Sequence, residues 1–262
     1  MLPRFPLIFH ARWPGAPRPP YNGPMSSPAP FDPLGGPSRL IVYVDFKSPY
    51  AYLAKDPTFQ LADDLGIDVD WRPLTLDIHS YLGSARLNAS GAVSESRRTP
   101  EQWHRVRYAY RDVRRYANLV GLTVRGTTKI WDSSLASIGL QWAKGRGAGA
   151  LRSYIDLTFE RFWKRELDIE DVSVVAGVLA EAGAEPDGFV DFARGEGRAE
   201  HELMQQRIFA AGIFGVPSYV LERELYFGRE HLPRLRWLLT GRRGLCPDVA
   251  YRHFDAQEAS GG

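Results

Sequence analysis

Only one of the 262 residues is a cysteine, Cys246. A single thiol cannot close an intramolecular disulfide, form a CxxC redox pair, or hold a zinc ion by itself. Cys246 lies in Gly-Leu-Cys-Pro-Asp, past the last strong helical pattern, and reads as a tail residue. No metal site is expected. Long apolar runs are also missing, since none approaches the roughly 18–20 residues needed to span a bilayer. The apolar patch Phe5–Phe9 is interrupted by Pro6 and is too short for a signal-peptide core. A cytoplasmic location is therefore favoured. Charge of one sign is lacking as well: 33 Lys and Arg stand against 31 Asp and Glu, a net charge of +2. Neither nucleic acid nor a membrane is called for. No GxSxG elbow is present and the histidines show no telling placement. Both absences weigh against a serine nucleophile working with its own general base.

The rest of the composition, 44% apolar and 24% charged, is ordinary for a globular chain with ample core. Proline is unevenly spread. Residues 1–37 hold 11 of the 19 prolines and lack apolar periodicity, so they read as a disordered leader. Leu40 to Phe46 is a short apolar run that suits a buried strand. Ser48-Pro49 then opens a helix, with Ser as cap and Pro at the first helical position. Asp56-Pro57 predicts a break or restart before the helix ends at Gly66, and Ile67 to Trp71 alternates as a second strand.

Thr99-Pro100-Glu101-Gln102 is a capping box that starts a long helix ending at Gly121. Further helices are predicted near 132–144, 151–164, 169–182 and 197–211, with Asp168 capping the third of these. Strand character returns at Pro217 to Leu221. The turn Glu222-Arg223-Glu224 leads to Leu225-Tyr226-Phe227, and a last helix covers 230–239.

Two segments carry candidate chemistry. In Asp45-Phe46-Lys47-Ser48-Pro49-Tyr50 a hydroxyl sits where a buried strand meets a helix N-terminus, a place that favours an anion. Taken alone, Ser48 is as well explained as a helix cap. In Gly215-Val216-Pro217-Ser218 a proline opens an apolar strand and cannot donate to the ladder. A cis bond there would aim the preceding peptide at a pocket, and an edge-strand proline is the plainer alternative.

Together the segments resemble the DsbA-like branch of the thioredoxin fold. Asp45–Ala54 (DFKSPYAYLA) and Phe214–Val220 (FGVPSYV) are similar to the 2-hydroxychromene-2-carboxylate isomerases and kappa-class glutathione transferases. Ser48 and Ala51 stand where redox members carry the two cysteines. Phe227-Gly228-Arg229-Glu230 resembles a third family motif, with Glu230 in place of aspartate and His231 in place of arginine.

The resemblance implies an α/β fold, a thioredoxin-like mixed sheet with a large all-helical insertion. The sheet domain would be 38–78 with 212–246, the insertion 79–211, and the tail 247–262. It implies glutathione as cofactor, with Ser48 stabilising its thiolate. Val216 and Pro217 would hold the cysteinyl unit, and Arg229 and Glu230 the γ-glutamyl end. Tyr50, Trp131 and Asp132 are candidates for the substrate pocket. The activity implied is isomerisation of a conjugated double bond through reversible thiolate addition. A kappa-like transferase and a redox-inactive peptide-binding module are the alternatives. Expected partners are a small-molecule electrophile, an aromatic carboxylate among the candidates, and a second copy of the chain as a homodimer. Arg105, Arg107, Arg111, Arg114 and Arg115 crowd one helix. They read as a solvated face, with carboxylate binding as the second reading.

Overall fold

A computed structural model describes residues 31–247. The leader before Phe31 and the tail after Pro247 lie outside the described residues. Strand β1 (Leu40–Val44) is buried at every position. It runs into α1 (Pro49–Leu65), and then β2 (Val69–Pro73) returns parallel to β1. The short helix α2 (Ile78–Leu82) follows, then strands β3 (Ala85–Leu87) and β4 (Val93–Ser96). The long helix α3 spans Pro100–Leu119. Helices α4 (Ser134–Lys144), α5 (Ala148–Trp163), α6 (Val172–Glu181), α7 (Phe189–Arg194) and α8 (Glu196–Ala210) complete the inserted block. Strands β5 (Ser218–Leu221) and β6 (Glu224–Phe227) then form a hairpin, and α9 (Leu232–Leu239) closes the fold.

The sheet order is β2-β1-β5-β6, with β5 antiparallel to β1 and β6 antiparallel to β5. This is the expected thioredoxin-like mixed sheet with a helical insertion. The two parts share one core. Phe46, at the end of β1, lies 4.8 Å (ring centroids) from Phe159 of α5, and Tyr52 of α1 stacks on Phe159 at 5.6 Å. Among the described residues no helix is long and apolar enough to cross a membrane.

Several details differ from the sequence expectations. Helix α1 runs through Pro57 without a break. The buried face carrying Tyr52, Thr58, Phe59 and Leu61 continues across the proline, and that burial outweighs the local cost of a few kcal/mol. The Thr58 hydroxyl is bonded to the Tyr219 hydroxyl of β5 at 2.8 Å, which ties that turn to the sheet. The insertion is not all helical, because β3 and β4 pair as a small hairpin. Its turn is built on Asn88, whose side chain accepts from the Ala92 N–H, and on Gly91 at φ 81°. The cap of α6 is Asp171, which accepts from the N–H groups of Ser173 and Val174. Asp168 instead closes a turn onto Glu170. The predicted helix over 197–211 is preceded by a separate one, α7. Glu224 belongs to β6 rather than to the turn, which is the pair Glu222 and Arg223 at φ 53° and 67°.

The leader also ends earlier than residue 37. Phe31 and Leu34 pack against the core. Buried Arg72 donates to the carbonyls of Asp32 (2.7 Å) and Gly35 (2.8 Å), and the Tyr43 hydroxyl donates to that of Pro33 (2.6 Å).

Candidate active site

The first turn of α1 offers unpaired backbone N–H groups. Ser48, 6% exposed, caps it with extended backbone angles (φ −92°, ψ 115°), and its Oγ accepts from the Ala51 N–H at 3.3 Å. Among the described residues nothing accepts the Ser48 hydroxyl proton. The residue before it was overlooked in the sequence. The Lys47 side chain is almost fully buried, with its ammonium 3.4 Å from Asp45 and donating to the Ser133 hydroxyl at 3.1 Å. Asp45, fully buried at the end of β1, also accepts from the N–H groups of Lys47 (3.1 Å) and Leu76 (2.8 Å). The loop that presents Ser48 is thus fixed by a satisfied buried carboxylate.

Residues of this turn line two separate cavities. One is an open groove of about 650 Å³. Tyr50, Val216, Pro217, Arg229 and Glu230 line it, so five of the eight candidate residues come together there. The Val216–Pro217 peptide bond is cis. Val216 is buried, yet among the described residues its backbone N–H and C=O have no hydrogen-bond partner. The Pro217 carbonyl is already taken by the Gly228 N–H at 2.9 Å. Val216 therefore presents an unpaired peptide edge to the groove, a state that asks for a ligand backbone. Gly228 sits at φ 107°, and a Cβ there would overlap the Glu230 carboxyl. Its lack of a side chain gives Glu230 its room.

Helix α3 supplies the facing wall through Asp112 and Tyr116, which the sequence reading did not pick out. The Tyr50 hydroxyl donates to Asp112 at 3.0 Å. Burial, and then that carboxylate, raise the Tyr50 phenol well above its ordinary pKa, so it stays a neutral donor. The Arg229 guanidinium lies 4.4 Å from the Tyr116 ring centroid, a cation–π contact that sets its direction.

The other cavity is a narrow cleft of about 110 Å³, walled by Lys47, Pro49, Ile78, Leu82 and Trp131 among others. Ser48 lines neither cavity. It lies in the chain between Lys47 and Pro49, which face the cleft, and Tyr50, which faces the groove. Of the three residues expected in the substrate pocket, only Trp131 lines the cleft. Asp132 lines neither cavity and is occupied locally, accepting from the Ser134 N–H at 2.9 Å. Burial opposes its ionisation, but that hydrogen bond holds its carboxyl below the usual range.

Fold and site together define a thioredoxin-fold protein whose first helix opens on Ser48 and has no cysteine in its first turn. The chain belongs to the family of DSBA-like thioredoxin domains, whose sequence pattern matches residues 39–240. It is 24% identical to 2-hydroxychromene-2-carboxylate isomerase of Sphingobium xenophagum over 193 residues, 72% of this chain and 92% of the relative. A solved structure of a 2-hydroxychromene-2-carboxylate isomerase superposes with a TM-score of 0.56 at 22% identity, covering 84% of this chain and 98% of that one. The cytosolic disulfide reductase DsbM of Pseudomonas aeruginosa, solved with GSH, superposes with a TM-score of 0.52 at 18% identity, covering 78% and 98%.

Proposed function

We propose that the chain is a glutathione-dependent isomerase of the 2-hydroxychromene-2-carboxylate type. The observation that carries this is the unpaired Val216 peptide edge in a groove also lined by Arg229 and Glu230. The groove's size lies within the roughly 300–1,000 Å³ common for small-ligand sites. The named relatives support the choice of reaction, and the DsbM structure supports the choice of thiol.

Bound glutathione would supply a thiol that, as thiolate, adds reversibly to a conjugated double bond. This chain's residues do the rest. The Val216 N–H and C=O pair with the tripeptide backbone. Glu230 meets the γ-glutamyl ammonium and Arg229 its carboxylate. The Ser48 hydroxyl, its proton unspoken for, donates to the sulfur and favours its ionised form. Lys47, Pro49 and Trp131 hold the electrophile in the cleft lined by the two chain neighbours of Ser48. No redox step is involved, which suits a chain with one cysteine.

The test is calorimetric titration with glutathione. Binding should be measurable, and Glu230→Gln should weaken it about tenfold, the value of one charge-assisted hydrogen bond. No binding by the unaltered chain would overturn the reading and favour the peptide-binding module.

A further inference from the structure

Three of the five arginines of α3, Arg107, Arg111 and Arg114, line a cavity. Trp103, Arg107, Tyr110 and Arg114 recur at spacings of four, three and four residues and so share one stripe of the helix. They open onto a basin of about 590 Å³ between α3, β3 and the loop from Gly126 to Lys129. Six cations line it: Arg98, Arg107, Arg111, Arg114, Lys129 and Arg165. No carboxylate does.

Among the described residues only Lys129 of these six has an acidic partner, Glu170. The Arg98 Nε is buried and has no hydrogen-bond partner. The guanidiniums of Arg98 and Arg107 lie 4.9 and 5.7 Å from the Trp103 ring centroid, and that of Arg114 lies 5.4 Å from Tyr110. Aromatic faces thus hold three of the six cations, Arg98, Arg107 and Arg114, without neutralising them. Like charges four apart on a helix repel, so the basin is more stable with anions in it. The basin and the cleft beside Ser48 share Arg98, Val106, Tyr110, Thr127 and Lys129 as walls, so the two are immediate neighbours.

We propose that the basin holds the acidic end of a small molecule carrying two or more anionic oxygen groups, whose flat apolar end enters the cleft beside Ser48. The placement of the apolar end rests on the isomerase reading above, whereas the acidic end rests on the basin alone. A single carboxylate would leave most of these cations unmatched. Two or three can each engage a guanidinium through paired N–H donors.

The experiment titrates the full chain at low salt with benzoate, benzene-1,3,5-tricarboxylate and phenyl phosphate, following heat and tryptophan fluorescence. The tricarboxylate should bind about tenfold or more tightly than benzoate. In the double variant Arg107→Gln, Arg111→Gln, two exposed positions, that advantage should vanish while glutathione affinity stays unchanged. If phenyl phosphate outbinds the tricarboxylate, the acidic end is phosphoryl rather than carboxylate, and the site stands. Equal binding of benzoate and both polyanions, or an advantage that survives the double variant, overturns the proposal. Glutathione titrated into the same samples separates the two claims. Failure there with an intact polyanion preference removes the isomerase reading and leaves the basin.

Discussion

Deleting residues 31–37 should destabilise the domain, although they fall in a segment rich in proline. The perturbation compares a chain beginning at Phe31 with one beginning at Ser38. The shorter chain loses two acceptors of the buried Arg72 guanidinium, the carbonyls of Asp32 and Gly35. It also loses the Pro33 carbonyl that accepts from Tyr43, and the Phe31 ring 4.8 Å from Arg72. Hydrogen bonds from a charged group are worth about 1.5–3 kcal/mol each. These contacts have to outweigh the entropy of ordering seven residues, so the net lies far below their sum. Docking favoured by about 100 to 1 corresponds to about 2.7 kcal/mol. For a domain of this size that is a fall in Tm of about 5–11 °C. Thermal unfolding followed by circular dichroism reads it directly. Arg223→Ala serves as the control. It removes only the exposed pair with Asp32 and should leave the Tm nearly unchanged. Equal melting of the two chains would refute the docking argument.

Two glycines in helices should respond in opposite senses to alanine. A Cβ on Gly139 of α4 would overlap the buried Tyr154 hydroxyl of α5, so Gly139→Ala should cost about 1–3 kcal/mol in a urea titration. Gly177 of α6 meets nothing within 4 Å, so Gly177→Ala should gain about 0.5–1 kcal/mol. Stability should also fall in mild acid through His201. The ring is 2% exposed, its Nε2 lies 3.0 Å from the Thr75 hydroxyl, and its Nδ1 has no partner. Burial, aided by Arg198, pulls its pKa down to about 4 from 6.5. The unfolded chain binds the proton first, so this contribution is complete above pH 6.5 and is lost as pH falls toward 4. At about 1.36 kcal/mol per unit the loss is about 3 kcal/mol. His201→Gln should flatten the Tm–pH profile over that window, and parallel profiles would remove His201 as the cause.

What could be read in the chain follows the physics of each element. Strand β1 was legible because a strand buried on both faces is a continuous apolar run. The α1 start was legible because Ser-Pro is a cap with a helix-compatible proline. The β5–β6 hairpin was marked by its polar turn. The β3–β4 hairpin was not legible, because β4 is exposed at every residue and carries no alternation. The docked segment was missed because backbone carbonyls satisfy Arg72, and carbonyls leave no trace in residue identity. At the site, Ser48, Val216 and Pro217 stood out as local motifs. Asp112 and Tyr116 reach the groove from α3, and no local pattern relates them to Pro217 about a hundred residues later. Lys47 was in plain view, but a lysine beside a cap reads as surface until its burial against Asp45 is seen. The arginines of α3 were noticed without their direction, since the basin requires β3 and the loop beyond α3 to close it.

In the proposed reaction Ser48 holds the sulfur of bound glutathione as a thiolate. The measurement is the ultraviolet absorbance of the thiolate against pH, with glutathione saturating the unaltered chain and Ser48→Ala. Loss of the cap costs about 1 kcal/mol, so the variant should stay folded and still bind through Val216, Arg229 and Glu230. A hydrogen bond to a charged group, worth about 1.5–3 kcal/mol, corresponds to about one to two pH units. The titration of the bound thiol should move up by that amount in Ser48→Ala. Superimposable curves, with glutathione bound in both, would contradict it and leave Ser48 as a helix cap alone.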